Sequence, residues 1–351
     1  MHTKRHQYID AIRVVGMFCV VWLHASAEKL RMHIGSPGWH LVNALASLAT
    51  IAVPLFFMIS GAVVLSSRQT EDYRYVLKRR IPKLFLPLLA WSAVAILAEY
   101  WGAKTEFLMI APADVVARAK TFFLSPVRVH FWFMYVLIPL YLVSPMLYSM
   151  VQNRRNLKYA VALFGLISAL GSLLPLLPAA WTPFFNVTFI RGAAFGSYIY
   201  YFPLGYLLHT TKRRVDTRVL VAMAVIAWAA ICLGTYWKSV GGGYYSEVFM
   251  SQTGVFALLL AAAVFLLIKN LADKPIRIVQ VLAPLSFGVY LVHLILIVFW
   301  LACLPKIGME ITLTYVLLCF GITSALSCGI VWLLSQFRVT SYLFCGIRKQ
   351  R

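Results

Sequence analysis

Ten apolar runs, parted by short stretches of charge and turn residues, fill most of the 351 positions. They lie near 8–28, 39–66, 84–101, 130–151, 159–176, 193–209, 218–237, 252–269, 284–304 and 312–335. About 20 apolar residues in a helix span the hydrocarbon layer of a bilayer, so these lengths predict transmembrane helices. The second run is long enough to tilt or to extend beyond the hydrocarbon. The expected fold is therefore an all-α polytopic membrane protein, with about ten helices in one bundle and residues 1–351 as a single transmembrane domain. Composition agrees: 62% of residues are hydrophobic, 12% are charged and the mean hydropathy is +0.81. A water-soluble enzyme is excluded.

The 32 Lys and Arg exceed the 11 Asp and Glu, for a net charge of +21. Such a balance suggests nucleic acid in a soluble chain, but here the charges sit in alternate connections. With the N-terminus inside, 22 of the basic residues fall in the two tails and the even-numbered connections, and nine fall in the others. Arg13 lies within the first run. By the positive-inside rule both termini are expected in the cytoplasm. Lys4, Arg5 and the run ending near Ala25-Ser26-Ala27 have the outline of a cleavable signal, yet Asp10 and Arg13 are out of place in one. The six cysteines, Cys19, Cys232, Cys303, Cys319, Cys328 and Cys345, stand singly and match neither a disulfide framework nor a zinc site. Nucleotide-binding, zinc-protease and nucleophile-elbow fingerprints are absent from the sequence. No internal repeat is evident, which weighs against a transporter without excluding one. Gly192-Ala-Ala-Phe-Gly196 reads as close helix packing, and Asn186 and Arg191 in 177–192 either shape an acceptor site or cap the bundle.

Ionisable residues inside a membrane are costly and point to function. Asp10 and Arg13, three apart, share a helix face on which a carboxylate can hold a guanidinium. Eleven residues from Arg13 to His24 make about three turns plus 20° and a rise of about 16 Å, so the two project alike at different depths. A histidine, with an unperturbed pKa of about 6.5, suits general-base work near neutral pH. His130, in His130-Phe-Trp132-Phe, is expected at the outer interface, at about the depth of His24. Tyr290 and His293 form an i, i+3 pair that serves either packing or substrate. Lys78-Arg79-Arg80-Ile-Pro-Lys83 lies at the cytoplasmic end of the third run, as a topology and lipid signal or as a site for phosphate groups.

These segments, in order, are Ile9-Asp10-Ala-Ile-Arg13 with His24, Val53-Pro-Leu-Phe-Phe-Met-Ile-Ser60-Gly61, His130-Phe-Trp-Phe with Leu140-Tyr-Leu-Val-Ser-Pro145, Tyr201-Phe-Pro-Leu-Gly205-Tyr, and Ser286-Phe-Gly-Val-Tyr290-Leu-Val-His293. Together they resemble the type 3 membrane acyltransferase family, and within it the branch that modifies enterobacterial common antigen. The resemblance implies O-acetylation of a surface or polyprenyl-linked glycan in the bacterial inner membrane, with acetyl-CoA as acyl donor and no metal. His24 and Arg13 match the family's essential histidine and arginine, with Asp10 fixing Arg13. Arg79, Arg80 and Lys83 stand nearest the family's Arg-x-x-Arg, for the phosphates of the acyl-CoA. Lysine at 83 supplies a point charge in place of a planar fork. His130, Trp132, Tyr290 and His293 are the candidate acceptor contacts. The competing reading is a proton-coupled transporter or flippase for a lipid-linked sugar or organic anion, with Arg13 binding the anion and His24 relaying protons. A non-catalytic partner in polysaccharide export is the third.

Overall fold

A computed structural model describes residues 6–348 except 106, 109–110, 174–175, 177–195 and 273. Gly192, Asn186 and Arg191 fall outside the described residues. Among the described residues the regular structure is helical and no strand occurs. Six helical segments are long and apolar enough to cross a membrane: Gln7–Arg31, Pro37–Leu65, Tyr73–Lys104, Thr217–Gly242, Arg277–Cys303 and Leu313–Gln336. Val129–Leu142 and Ser144–Gln152 are apolar enough only as a pair bent by 58°, a broken span or a re-entrant loop, and Val255–Leu271 is a shorter apolar helix. The runs at 159–176 and 193–209 contain helices Arg154–Leu173 and Tyr201–Thr210. Leu97, Ile226, Leu233, Trp237 and Trp332 are exposed on their helices, as lipid-facing side chains are. The chain is an all-α membrane protein.

The principal helices are α1 (Gln7–Arg31), α2 (Pro37–Ala49), α3 (Ala52–Leu65), α4 (Ile81–Lys104), α5 (Pro112–Lys120), α6 (Trp132–Leu142), α7 (Ser144–Gln152) and α8 (Arg154–Leu173). They continue as α9 (Tyr201–Thr210), α10 (Thr217–Gly242), α11 (Val255–Leu271), α12 (Ser286–Cys303), α13 (Leu313–Gln336) and α14 (Arg338–Cys345). The long second run is thus two helices, broken at Thr50-Ile51. Pro54 is the reason: it has no N–H to give the Thr50 carbonyl four residues back. Pro145 marks a similar break at Val143 between α6 and α7.

The chain folds as two compact units, Met1–Asp72 with Val143–Ala283 and Tyr73–Leu142 with Pro284–Arg351. In the first, α3 and α9 make the most extensive helix pair. A Cβ on Gly61 would collide with the backbone of Phe202, and one on Gly205 with the backbone of Met58. Only glycines permit this approach. The helix ends of the unit sort into two layers. At one end Tyr8 bonds to His209, and the Lys269 ammonium donates to the carbonyls of Leu208, His209 and Thr211 at 2.6, 2.8 and 2.8 Å, capping α9. At the other, Trp39 Nε1 donates to the Leu30 carbonyl at 2.8 Å and Tyr201 to that of Gln252 at 2.6 Å. Thus α1 runs in one direction and α9 and α11 in the other. In the second unit α4 packs on α6, α12 and α14, and α13 on α12 and α14.

Candidate active site

In the first unit α1 is one unbroken helix, so the register inferred between Arg13 and His24 holds along its length. Asp10 is buried, and Arg13 Nη1 donates to its Oδ1 at 3.4 Å, while 37% of the Arg13 side chain remains exposed. The guanidinium is tethered on one side and retains donors for a ligand on the other. His24 is half-buried on the same helix.

In the second unit the structure draws His130, Tyr290 and His293 together. His130 opens α6 from a short 3-10 turn, Val129–Phe131, and is buried along with His293. The Tyr290 hydroxyl donates to the His130 carbonyl, and the His130 Nε2 lies 3.2 Å from the Leu291 carbonyl. His293 Nδ1 lies 2.7 Å from the Tyr290 carbonyl. A ring nitrogen that meets a carbonyl must carry the proton, so neutral His293 presents its lone pair at Nε2 and neutral His130 at Nδ1. The two rings stand edge to face with centroids 5.1 Å apart. The sequence places His130 at the outer interface, and the fold buries it because Tyr290 and Leu291 of α12 supply polar partners for both its backbone and its ring. Trp132, the first residue of α6, is half-buried.

The basic segment lies at the start of α4. Val76–Arg80 forms a π-helical turn, a wider winding that leads into α4. Arg79 and Lys83 are exposed, and Arg80 is half-buried with its guanidinium over the Tyr75 ring, 5.6 Å from the centroid. The cation–π contact fixes the direction of Arg80 without neutralising it.

Sequence reading did not single out the ion cluster at the far end of α4. Glu99 is 2% exposed; its Oε2 meets Arg118 Nη2 at 2.7 Å and its Oε1 meets Arg128 Nε at 2.6 Å. Burial pushes the Arg128 guanidinium below its ordinary range, and the Glu99 carboxylate opposes that shift without cancelling it. The signal was present: Glu99 is a carboxylate within the third apolar run, where charge is expensive. Arg128 lies two residues before His130, so this cluster fixes the segment that delivers His130 to α12. Among the described residues no group of three or more His, Cys, Asp or Glu could hold a metal ion.

A family model described as an acyltransferase domain matches residues 6–332. Neither curated proteins nor solved structures give a match.

Proposed function

The chain belongs to the type 3 acyltransferase family, and from that premise we propose that this membrane acyltransferase moves an acetyl group from cytosolic acetyl-CoA to a hydroxyl of a cell-surface or lipid-linked glycan. The observation that carries the reading is the Asp10–Arg13 ion pair on an unbroken α1 that also bears His24. His24 takes the proton from the acceptor hydroxyl as its oxygen attacks the thioester carbon. The tetrahedral adduct collapses with cleavage of the C–S bond, and the departing CoA thiolate receives the proton from His24. Arg13, oriented by Asp10, holds the donor through its remaining N–H groups. Arg79, Arg80 and Lys83 meet the donor's phosphates, and His130, Trp132, Tyr290 and His293 orient the acceptor. In this reading ten helices cross the bacterial inner membrane with both termini in the cytoplasm, and the acceptor is a glycan of the enterobacterial common antigen kind.

The test is transfer of label from radiolabelled acetyl-CoA to lipid-linked and polymeric glycan in membranes with matched expression. Wild type should incorporate label, and His24→Ala should lose about a hundredfold or more of that activity, the size of a general-base contribution. Arg13→Ala should lose it as well. Incorporation by His24→Ala at the wild-type rate would sink the assignment of the base. No label in any sample, across several acceptors, would turn attention to flipping or uptake. A labelled acyl-protein that forms in wild type and vanishes in His24→Ala would replace direct transfer by an acyl-histidine step.

A further inference from the structure

The last described residue of the chain, Arg348, lies 16 residues past the end of the matched region at 332. Its place is set by the turn that ends α14. Gly346 takes φ +65°, a left-handed conformation that suits glycine, and closes the helix with bonds from Gly346 N to Tyr342 O at 3.2 Å and from Ile347 N to Ser341 O at 2.9 Å. The helix itself is fastened to α4: Trp91 Nε1 donates to the Phe344 carbonyl at 2.9 Å, and the two rings meet edge to face at 5.3 Å. Gly346 then packs so tightly on the backbone of Lys83 that an added Cβ would lie 2.5 Å from the Lys83 carbonyl oxygen. The turn therefore hands Arg348 to the start of α4. Arg348 thus stands two residues beyond the contact with Lys83, and it is exposed as Arg79 and Lys83 are.

Four cations are thus gathered from two separate parts of the chain. Among the described residues, the ion pairs do not involve Arg79, Arg80, Lys83 or Arg348. Holding like charges together costs free energy that the folded protein alone does not recover. A ligand with several clustered negative charges would recover it, and the phosphates of the CoA nucleotide are such a group.

We infer that Arg348 is a fourth cation of the donor-phosphate site formed by Arg79, Arg80 and Lys83, an inference that rests on acetyl-CoA being the donor. The C-terminal segment is then part of the binding machinery, and Gly346 is its positioning residue. The alternative source of phosphate is an anionic lipid headgroup, which the experiment separates.

The experiment is binding of radiolabelled CoA to the full-length protein in nanodiscs of zwitterionic lipid, with Arg348→Ala, Arg348→Lys and, as a charge-matched control, Arg338→Ala. Arg338 is exposed at the start of α14. The expected result is binding weakened about tenfold in Arg348→Ala, as for one charge-assisted contact, less in Arg348→Lys and unchanged in Arg338→Ala. The loss should be smaller for acetyl-pantetheine, which lacks the nucleotide. Equal CoA binding by wild type and Arg348→Ala overturns the inference and leaves the donor reading intact. Absence of CoA binding in wild type overturns both. Retention of phosphatidylglycerol in native mass spectra that falls only in Arg348→Ala, with CoA binding unchanged, assigns the residue to lipid and overturns it too.

Discussion

Helix α4 carries a cluster of arginines at each end, and the two clusters differ in one respect. Lys83 and Glu99 are 16 residues apart, about 24 Å along the axis. At the Glu99 end one buried carboxylate serves both Arg118 and Arg128. At the Lys83 end Arg79, Arg80, Lys83 and Arg348 collect without an ion pair to a carboxylate among the described residues. The same residue type is structural where its charge is already answered and available to a ligand where it is not. Burial follows the same division: Glu99 is inaccessible, whereas Arg79, Lys83 and Arg348 are exposed. A charge removed from water must find its partner inside the protein, and an exposed one can wait for a partner from outside.

The sharpest way to break this contrast is Glu99→Ala. It leaves two guanidinium groups facing each other around a void, and the expected loss is about 3 kcal/mol or more, read as a lower thermal midpoint and yield in detergent. Arg128→Ala should cost more than Arg118→Ala, since their side chains are 13% and 38% exposed. Equal stability of Glu99→Ala and wild type would erase the structural half of the comparison. The next effect lies at the other end. Arg80→Ala and Lys83→Ala should raise the KM for acetyl-CoA about tenfold while the thermal midpoint stays level or rises, because like-charge repulsion is relieved. A fall in stability like that of Glu99→Ala would show that these cations also have an internal partner. The smallest effect separates the clusters by salt. Raising ionic strength from about 0.01 M to 0.1 M shortens the screening length from about 30 to 10 Å, which should weaken donor binding several-fold and leave the stability lost in Glu99→Ala nearly unchanged.

Some of the tertiary detail was within reach of the chain. Pro54 and Pro145 stand where the second and fourth runs break, whereas Pro87 and Pro139 are carried inside helices, so a proline alone marks a candidate break. Gly61 and Gly205 sit in two of the segments that carry the family resemblance, and the fold places them at one close helix crossing. Other roles were hidden. Lys269 reads as one more basic residue of a connection, yet its three carbonyl bonds make it the cap of α9. The burial of His130 was hidden because its partners, Tyr290 and Leu291, lie 160 and 161 residues away.

What the sequence alone determined is the membrane-embedded helical class, the family and the candidates on α1. Each depends on local spacing: run length against membrane thickness, and three or eleven residues against 3.6 per turn. Only the tertiary structure decided which charges are answered and which histidines are buried side by side. Hydrogen bonds and ion pairs between distant segments depend on how helices pack, and side-chain periodicity carries no record of a partner on another helix.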